Sequence, residues 1–418
     1  MKKKYEIIVI GGGPAGLAAA ISAYDKGAKS VLILEREDCL GGILNQCIHN
    51  GFGLNRFKES LSGPEYAFRF IDELKTRNIE VMLQTTVLSM REDKTITAIN
   101  SKEGVFSLKA KAIILAMGCR ERSRGALNIA GSRPAGIYSA GTAQKFVNVK
   151  GFLPGKKVVI LGSGDIGLIM ARRMTLEGAK VQAVLEIMPY SSGLKRNIVQ
   201  CLDDFDIPLY LSHTITKIEG DKHVTGVVVS KVDQNRQPIP NTEIHFDCDT
   251  VLFSVGLIPE NELSKSANIP LSPNTRGAIV YQTRETLVNG FFACGNVLQV
   301  HDLVDFVSEE AFLAGAYAGE YIKKANKGRD AVDVKNGKNV AYVVPQKIDK
   351  NIDGNVKLFF RPTKMLKDCT ITVKCGDEIL VKKNKKIVAP GEMETLILTK
   401  EKTDKIVYEI EVLVEGDI

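Results

Sequence analysis

A short apolar strand, a glycine loop, a helix and an acid occur twice in this chain at one fixed offset, and that repeat constrains its fold more than any other feature. In the first copy Tyr5-Glu-Ile-Ile-Val-Ile10 leads into Gly11-x-Gly13-x-x-Gly16 and an alanine-rich helical segment, and the next apolar run, Ser30 to Leu34, ends at Glu35. In the second, Lys157-Val-Val-Ile-Leu161 leads into Gly162-x-Gly164-x-x-Gly167, and a strand from Lys180 to Leu185 ends at Glu186. Each acid follows its third glycine by 19 positions, and a single offset of 151 relates residues 11, 13, 16 and 35 to 162, 164, 167 and 186. The residue types suit a pyrophosphate: the first glycine permits the tight turn, the second lets backbone approach phosphate, and the third lets the helix close on the strand. The helix N-terminus adds unpaired N–H groups and partial positive charge. A carboxylate at the end of the following strand can accept hydrogen bonds from ribose hydroxyls. Two dinucleotide sites are therefore expected.

Composition excludes several other classes. With 418 residues, 44% apolar and 25% charged, the chain can bury large cores, in about three domains at roughly 150 residues each. Eight cysteines spread over that length read as reduced thiols rather than a disulfide framework, and a cytoplasmic setting is expected. A net charge of +7 is too mild and too dispersed to argue for nucleic acid. Lys2, Lys3 and Lys4, followed by an apolar stretch ending in Ala18-Ala19-Ala20, imitate a secretory signal. Gly11, Gly12, Gly13 and Pro14 interrupt that stretch, and the same pattern returns deep in the chain. No run of 18 apolar residues occurs, so no membrane span is expected.

At these residues the chain resembles the two-dinucleotide-binding-domain flavoproteins, or pyridine nucleotide-disulfide oxidoreductases, over roughly residues 5 to 325. The resemblance implies an α/β fold: two Rossmann-like dinucleotide-binding domains, the NAD module inserted in the FAD module, followed here by a small C-terminal all-β domain. Its boundaries would be 1–120 with 259–328 for FAD, 121–258 for NAD(H) and 331–418 for the β domain. Ala112-Ile-Ile-Leu-Ala-Met-Gly118 and Val251-Leu-Phe-Ser-Val-Gly256-x-x-Pro259 mark where the chain would leave and re-enter the FAD module, and Phe291-Phe-Ala-Cys-Gly-Asn296 follows. The family usually has Asp where Asn296 stands, and an Asn carbonyl oxygen can accept from the flavin ribityl chain as well. The segment Leu303 to Ile322 would then aim a helix N-terminus at the flavin pyrimidine. Flavin contacts are implied at Gly11, Gly13, Pro14, Ala15, Gly16, Glu35, Arg36, Gly42, Val87, Ala116, Gly118, Gly295 and Asn296. Contacts to the nicotinamide dinucleotide are implied at Gly162, Gly164, Asp165, Ile166, Gly167, Glu186 and Gly256. Glu186 favours NADH, because a carboxylate repels a 2′-phosphate; Arg172, Arg173 and Lys195 nearby keep NADPH open but also read as a solvated helix face.

The redox cysteine pair of the resembling enzymes is absent. Aligned on Gly41-Gly42, the two thiol positions hold Leu44 and His49, and the alternative location reads Tyr138-Ser-Ala-Gly-Thr142. His49 and Cys47 are the catalytic candidates, His49 as a proton carrier beside the flavin, with Cys47 also readable as a packed helix residue. Cys39 and Cys47, separated by seven residues across a glycine turn, do not suit a facile disulfide, and Cys369 with Cys375 makes a poor metal site, so no metal is expected. The string Cys39-Leu-Gly-Gly-Ile-Leu-Asn-Gln-Cys-Ile-His-Asn-Gly-Phe-Gly53 resembles a narrower group. These are FAD/NAD-binding subunits of multi-subunit dehydrogenases, including partners of glycerol-3-phosphate dehydrogenase-like proteins and subunits acting on opines, hydroxyproline or glycine. Pro134 to Gln144 and Val300-His-Asp-Leu-Val-Asp-Phe-Val-Ser-Glu-Glu310 are similar to that group too.

From Ala331 onward short β-type runs alternate with Lys, Gly and Pro, which reads as an antiparallel β domain for docking a partner subunit or a second copy. Lys382, Lys383, Lys385 and Lys386 read as a solvated hairpin turn. The expected function is FAD-dependent, NAD(H)-linked hydride transfer without a disulfide relay, in the electron-transfer subunit of a larger dehydrogenase. A stand-alone NADH oxidase or flavin reductase, and a non-catalytic flavin-containing scaffold, are the alternatives.

Overall fold

Both apolar runs that precede a glycine loop form the central strand of a parallel sheet, where burial on two faces demands continuous hydrophobicity. The computed structural model describes residues 3–323, 329–352 and 354–417, so the expected boundary at Lys327-Gly328 lies outside the described residues. The chain divides into two compact units, one of residues 1–119 with 259–418 and one of residues 120–258.

In the first unit the parallel strands run in the order Ile79–Met82, Val31–Leu34, Lys4–Ile10, Gly104–Leu115 and Phe291–Ala293. Thr95–Asn100 and Thr86–Met90 extend the sheet antiparallel from the early part of Gly104–Leu115. Alternate residues of Lys4–Ile10 serve opposite faces. Ile7 and Val9 pack with the helices Pro14–Asp25, Gly63–Lys75 and Val304–Tyr321, whereas Ile8 and Ile10 pack with Ile269, Val280 and Leu298. The second unit repeats the order with Leu209–Leu211, Lys180–Glu186, Lys157–Leu161, Thr250–Phe253 and Ile137–Ser139, all parallel. Here Val158 and Ile160 face the helix Asp165–Leu176, and Val159 and Leu161 face a four-stranded sheet built around His213–Glu219. The last strand precedes the glycine loop in this unit and follows it in the other, so one strand order is threaded in two ways.

The C-terminal segment forms a five-stranded and a three-stranded sheet around its own core, antiparallel except for Ala331–Asn336 beside Ile410–Asp417. The segment groups with residues 1–119 in one compact unit. The Arg361 guanidinium, held within the segment by the Tyr342 hydroxyl at 3.0 Å and the Gly391 carbonyl at 2.8 Å, ties it to Asp302 and to the Val300 carbonyl at 3.1 Å. Lys357 adds an ion pair to Glu309 at 2.7 Å. The lysine cluster expected as a turn is instead the middle of the strand Glu378–Val388, with Lys382 opposite Thr372 and Lys385 opposite Cys369. This strand lies at a sheet edge, where lysines discourage pairing with another chain. Among the described residues no helix is long and apolar enough to cross a membrane.

The helices Pro14–Asp25 and Val304–Tyr321 meet at Gly315, where an added Cβ would overlap the Ala19 carbonyl. Gly315→Val is expected to lower stability by about 1–3 kcal/mol through overpacking, read as a fall in thermal midpoint. Phe68→Ser, at a site 59% exposed, is expected to leave the midpoint nearly unchanged.

Candidate dinucleotide sites

Each glycine loop is shaped by what a side chain would strike. Gly11 has φ +102° and Gly162 has φ +105°, and a Cβ on either would overlap a backbone carbonyl, that of Ala116 or of Ser254. Cβ atoms at Gly16 and Gly167 would overlap the carbonyls of Gly11 and Gly162, so only glycine lets each helix start this close to its strand. Gly13 is different: its Cβ would meet only the Gly42 Cα, at 3.8 Å, which leaves an open cradle. Pro14 is the first residue of the helix, and Gly13 at the N-cap provides no side-chain acceptor, so the first-turn N–H groups remain available to an anion.

The acids close the loops. Glu35, 6% exposed, accepts from the Gly12 N–H at 2.6 Å with one oxygen and from the Glu37 N–H at 2.8 Å with the other. Glu186, also 6% exposed, accepts from the Ser163 N–H at 3.1 Å and the Met188 N–H at 3.0 Å. Ser163 and Met188 stand 151 positions after Gly12 and Glu37, so the repeat persists in atomic detail. Glu186 carries additional bonds from the Ser163 hydroxyl at 2.6 Å and the Ser192 hydroxyl at 3.5 Å.

The structure gathers Gly11, Gly13, Pro14, Ala15, Gly16, Glu35, Gly42, Ala116 and Gly295 about the first loop, the last because a Cβ on Gly295 would press on the Ala15 methyl at 2.8 Å. Gly118 lies one residue before Cys119, whose sulfur receives the Asn296 amide at 3.6 Å, and the Asn296 carbonyl oxygen accepts from the His301 N–H at 3.0 Å. Arg36 is exposed, and Val87 packs beside the core on the strand Thr86–Met90. In the second unit Gly162, Gly164, Gly167 and Glu186 share the loop. Asp165 turns away from it, accepting from the Leu194 N–H at 2.8 Å and the Asn197 amide at 2.7 Å to hold the loop that follows the strand Lys180–Glu186. Ile166 packs beside the core, and nothing stands within 4 Å of a Cβ on Gly256. Arg173 pairs with Glu177 at 2.5 Å and Arg172 lies over Phe205.

A buried charged network lies beneath Gly295 that motif reading missed, because its members are scattered in sequence. Glu310 receives Arg284 Nε at 2.9 Å, the Gly295 N–H at 2.9 Å, the Gln299 amide at 3.0 Å and His301 Nε2 at 2.9 Å. Burial alone would raise the Glu310 carboxyl, but His301, Arg284 and the Gly295 N–H outweigh it and hold the group at about 2. The one available signal was Glu310 at the end of the Val300 to Glu310 string.

Cys47 and His49 follow the turn of helix Gly42–Gln46. Cys47 bonds through its sulfur to the Ile43 carbonyl at 3.3 Å, its own carbonyl accepts from the Gly63 N–H, and burial pushes its thiol up to about 12. His49 is half-buried with its ring 5.0 Å from Phe52. The eight cysteines stand as thiols rather than disulfides. Among the described residues no group of three or more His, Cys, Asp or Glu side chains could hold a metal ion.

The sequence profile of the pyridine nucleotide-disulphide oxidoreductases matches residues 5–311, which include both loops, both acids and Glu310. The chain belongs to the pyridine nucleotide-disulphide oxidoreductase family. It is 29% identical to an alkyl hydroperoxide reductase subunit of Pseudomonas aeruginosa over 311 residues, 71% of this chain and 54% of that protein. It is 24% identical to an opine oxidase subunit of Agrobacterium tumefaciens over 287 residues, 65% of this chain and 56% of that one. The chain thus spans little more than half the length of these curated relatives. The crystal structure of T. acidophilum thioredoxin reductase matches with a TM-score of 0.61 at 26% identity, over 77% of this chain and 98% of that one. Members of this oxidoreductase family bind FAD and NAD(P)H, and the open cradle at Gly13 with the buried acid Glu35 fits the phosphate and ribose of such a nucleotide.

Two titrations follow. With its thiol held near 12, Cys47 gains thiolate only as pH climbs far above neutrality, so iodoacetamide at pH 7–9 is expected to spare Cys47 in peptide mapping of the folded protein. Glu310 sits below its ordinary 4.5, so its stabilisation is full above that pH and disappears as pH falls toward about 2. Glu310→Gln strands Arg284 and is expected to cost about 3–5 kcal/mol at pH 7. The gap in thermal midpoint from the parent should close between pH 4.5 and 2.

Proposed function

We propose that the first unit holds FAD, the second binds NADH, and the chain is an oxidoreductase that moves a hydride between the two without a disulfide relay. The observation that carries this reading is the pair of glutamates, each organised by the amide of its own glycine loop, in a chain whose family uses those two nucleotides. FAD, when bound, supplies a two-electron acceptor for the nicotinamide hydride.

The chain's own residues bind and orient. The first-turn N–H groups of Pro14–Asp25 receive the pyrophosphate, and Glu35 takes ribose hydroxyls with the lone pairs that the Gly12 and Glu37 amides leave open. Asn296, held by the His301 N–H, keeps one carbonyl lone pair for the ribityl chain. The Glu310 network underlies this segment through the Gly295 N–H and fixes it before any ligand arrives. In the second unit Glu186 discriminates against a 2′-phosphate. His49 carries a proton when electrons leave, and Cys47 packs against Gly63 rather than reacting. Eight cysteines held as thiols rather than disulfides support a cytoplasmic setting. The likeness to the opine oxidase protein, itself one subunit of a larger enzyme by its name, supports electron exchange with a partner dehydrogenase.

Anaerobic titration tests the core of this reading. Purified protein is expected to show flavin absorbance that bleaches with NADH at lower concentration than with NADPH; flavin that neither nucleotide reduces contradicts it. His49→Ala is expected to leave reduction by NADH intact and to slow reoxidation by a quinone on the order of a hundred-fold. Unchanged reoxidation removes His49 from the mechanism.

A further inference from the structure

The two copies of the loop differ at one position in a way that changes what their acids can do. Gly12 in the first copy is Ser163 in the second. A Cβ at Gly12 would meet the tip of the Leu40 side chain at 2.5 Å, so a serine there would require Leu40 to move. In the second copy Ser163 is fully buried and its hydroxyl is tightly placed. It receives the Ser192 N–H at 3.3 Å, which commits its own proton to Glu186, 2.6 Å away.

A carboxylate offers about four acceptor positions. Glu35 has two filled, one on each oxygen, by the Gly12 and Glu37 amides, and so keeps one on each oxygen for the paired hydroxyls of a ribose. On Glu186 the oxygen that faces Ser163 is filled by both the amide and the hydroxyl of that residue, with the Ser192 hydroxyl at 3.5 Å besides. The other oxygen is half filled by the Met188 N–H.

We propose that Ser163 determines how the second site reads an adenosine ribose: it occupies Glu186 so that the carboxylate accepts one ribose hydroxyl where Glu35 accepts two. The inference rests on the reading that this unit binds NAD(P)H. Affinity for the nicotinamide nucleotide is then held below what the loop could provide, as suits a nucleotide that must leave after each turnover, while FAD meets an acid with no such competitor.

The test is titration calorimetry of FAD-loaded full-length protein with ADP-ribose, which has the ribose but no nicotinamide to react, and with 2′-phospho-ADP-ribose. Ser163→Ala keeps the Cβ and removes the hydroxyl; Ser163→Gly reproduces the first copy. Both variants are expected to bind ADP-ribose about five-fold more tightly than the parent, the effect of one freed hydrogen bond. The 2′-phospho form, which has no hydroxyl at that position, should change by less than about two-fold on the same reasoning. Unchanged or weaker ADP-ribose binding in Ser163→Ala overturns the role of Ser163 while leaving nucleotide binding in the second unit intact. If parent and variants alike bind neither ligand, the assignment of this unit to NAD(P)H falls, and the inference falls with it.

Discussion

A buried carboxylate bonded to the second residue of a glycine loop is the interaction on which both halves of this protein depend. The loop must turn sharply to bring a helix N-terminus over the end of a parallel strand, and that turn leaves backbone N–H groups in need of acceptors. Glu35 and Glu186 each take one such N–H and a second from two residues further along their own chain segment, which ties the tip of one strand to the loop of its neighbour. The same bonds that satisfy the loop also fix the orientation of each acid.

The Glu310 network does comparable work in the first unit. A carboxylate, a guanidinium and an imidazole buried together are costly to desolvate, and they are tolerated only because each faces opposite charge or a donor. Their bonds converge on Gly295 and His301, the residues on either side of the turn that presents Asn296. The C-terminal sheets reach the same turn, with Phe359 edge-on to the His301 ring at 5.4 Å and Arg361 bonded to Val300 and Asp302. The tail, which lies beyond the residues matched by the family profile, is thus a wall of the first unit as well as a surface of its own.

Much of this was legible in the sequence because its signals are local. A strand, three glycines at fixed spacing and an acid 19 residues later report directly on backbone geometry, and the structure places Lys4–Ile10, Lys157–Leu161 and the helix Val304–Tyr321 where those patterns put them. What escaped was set by contacts distant in sequence. Arg284, Gln299 and His301 carry no pattern that predicts their meeting at Glu310. Asp165 sits beside a glycine loop yet serves Leu194 and Asn197, a choice made by the loop packed over it. The lysines from 382 to 386 look like a turn because they are charged, but they continue a long edge strand whose turn lies at Gly376.

The central claim is that each acid serves its own nucleotide. Its most direct test is binding by single variants of the two acids, with FAD content read by absorbance and ADP-ribose binding read by calorimetry on the same preparations. Glu35→Ala is expected to lose FAD while still binding ADP-ribose, and Glu186→Ala to keep FAD while losing ADP-ribose. Retention of both ligands by both variants, or loss of both by either one, would contradict the account.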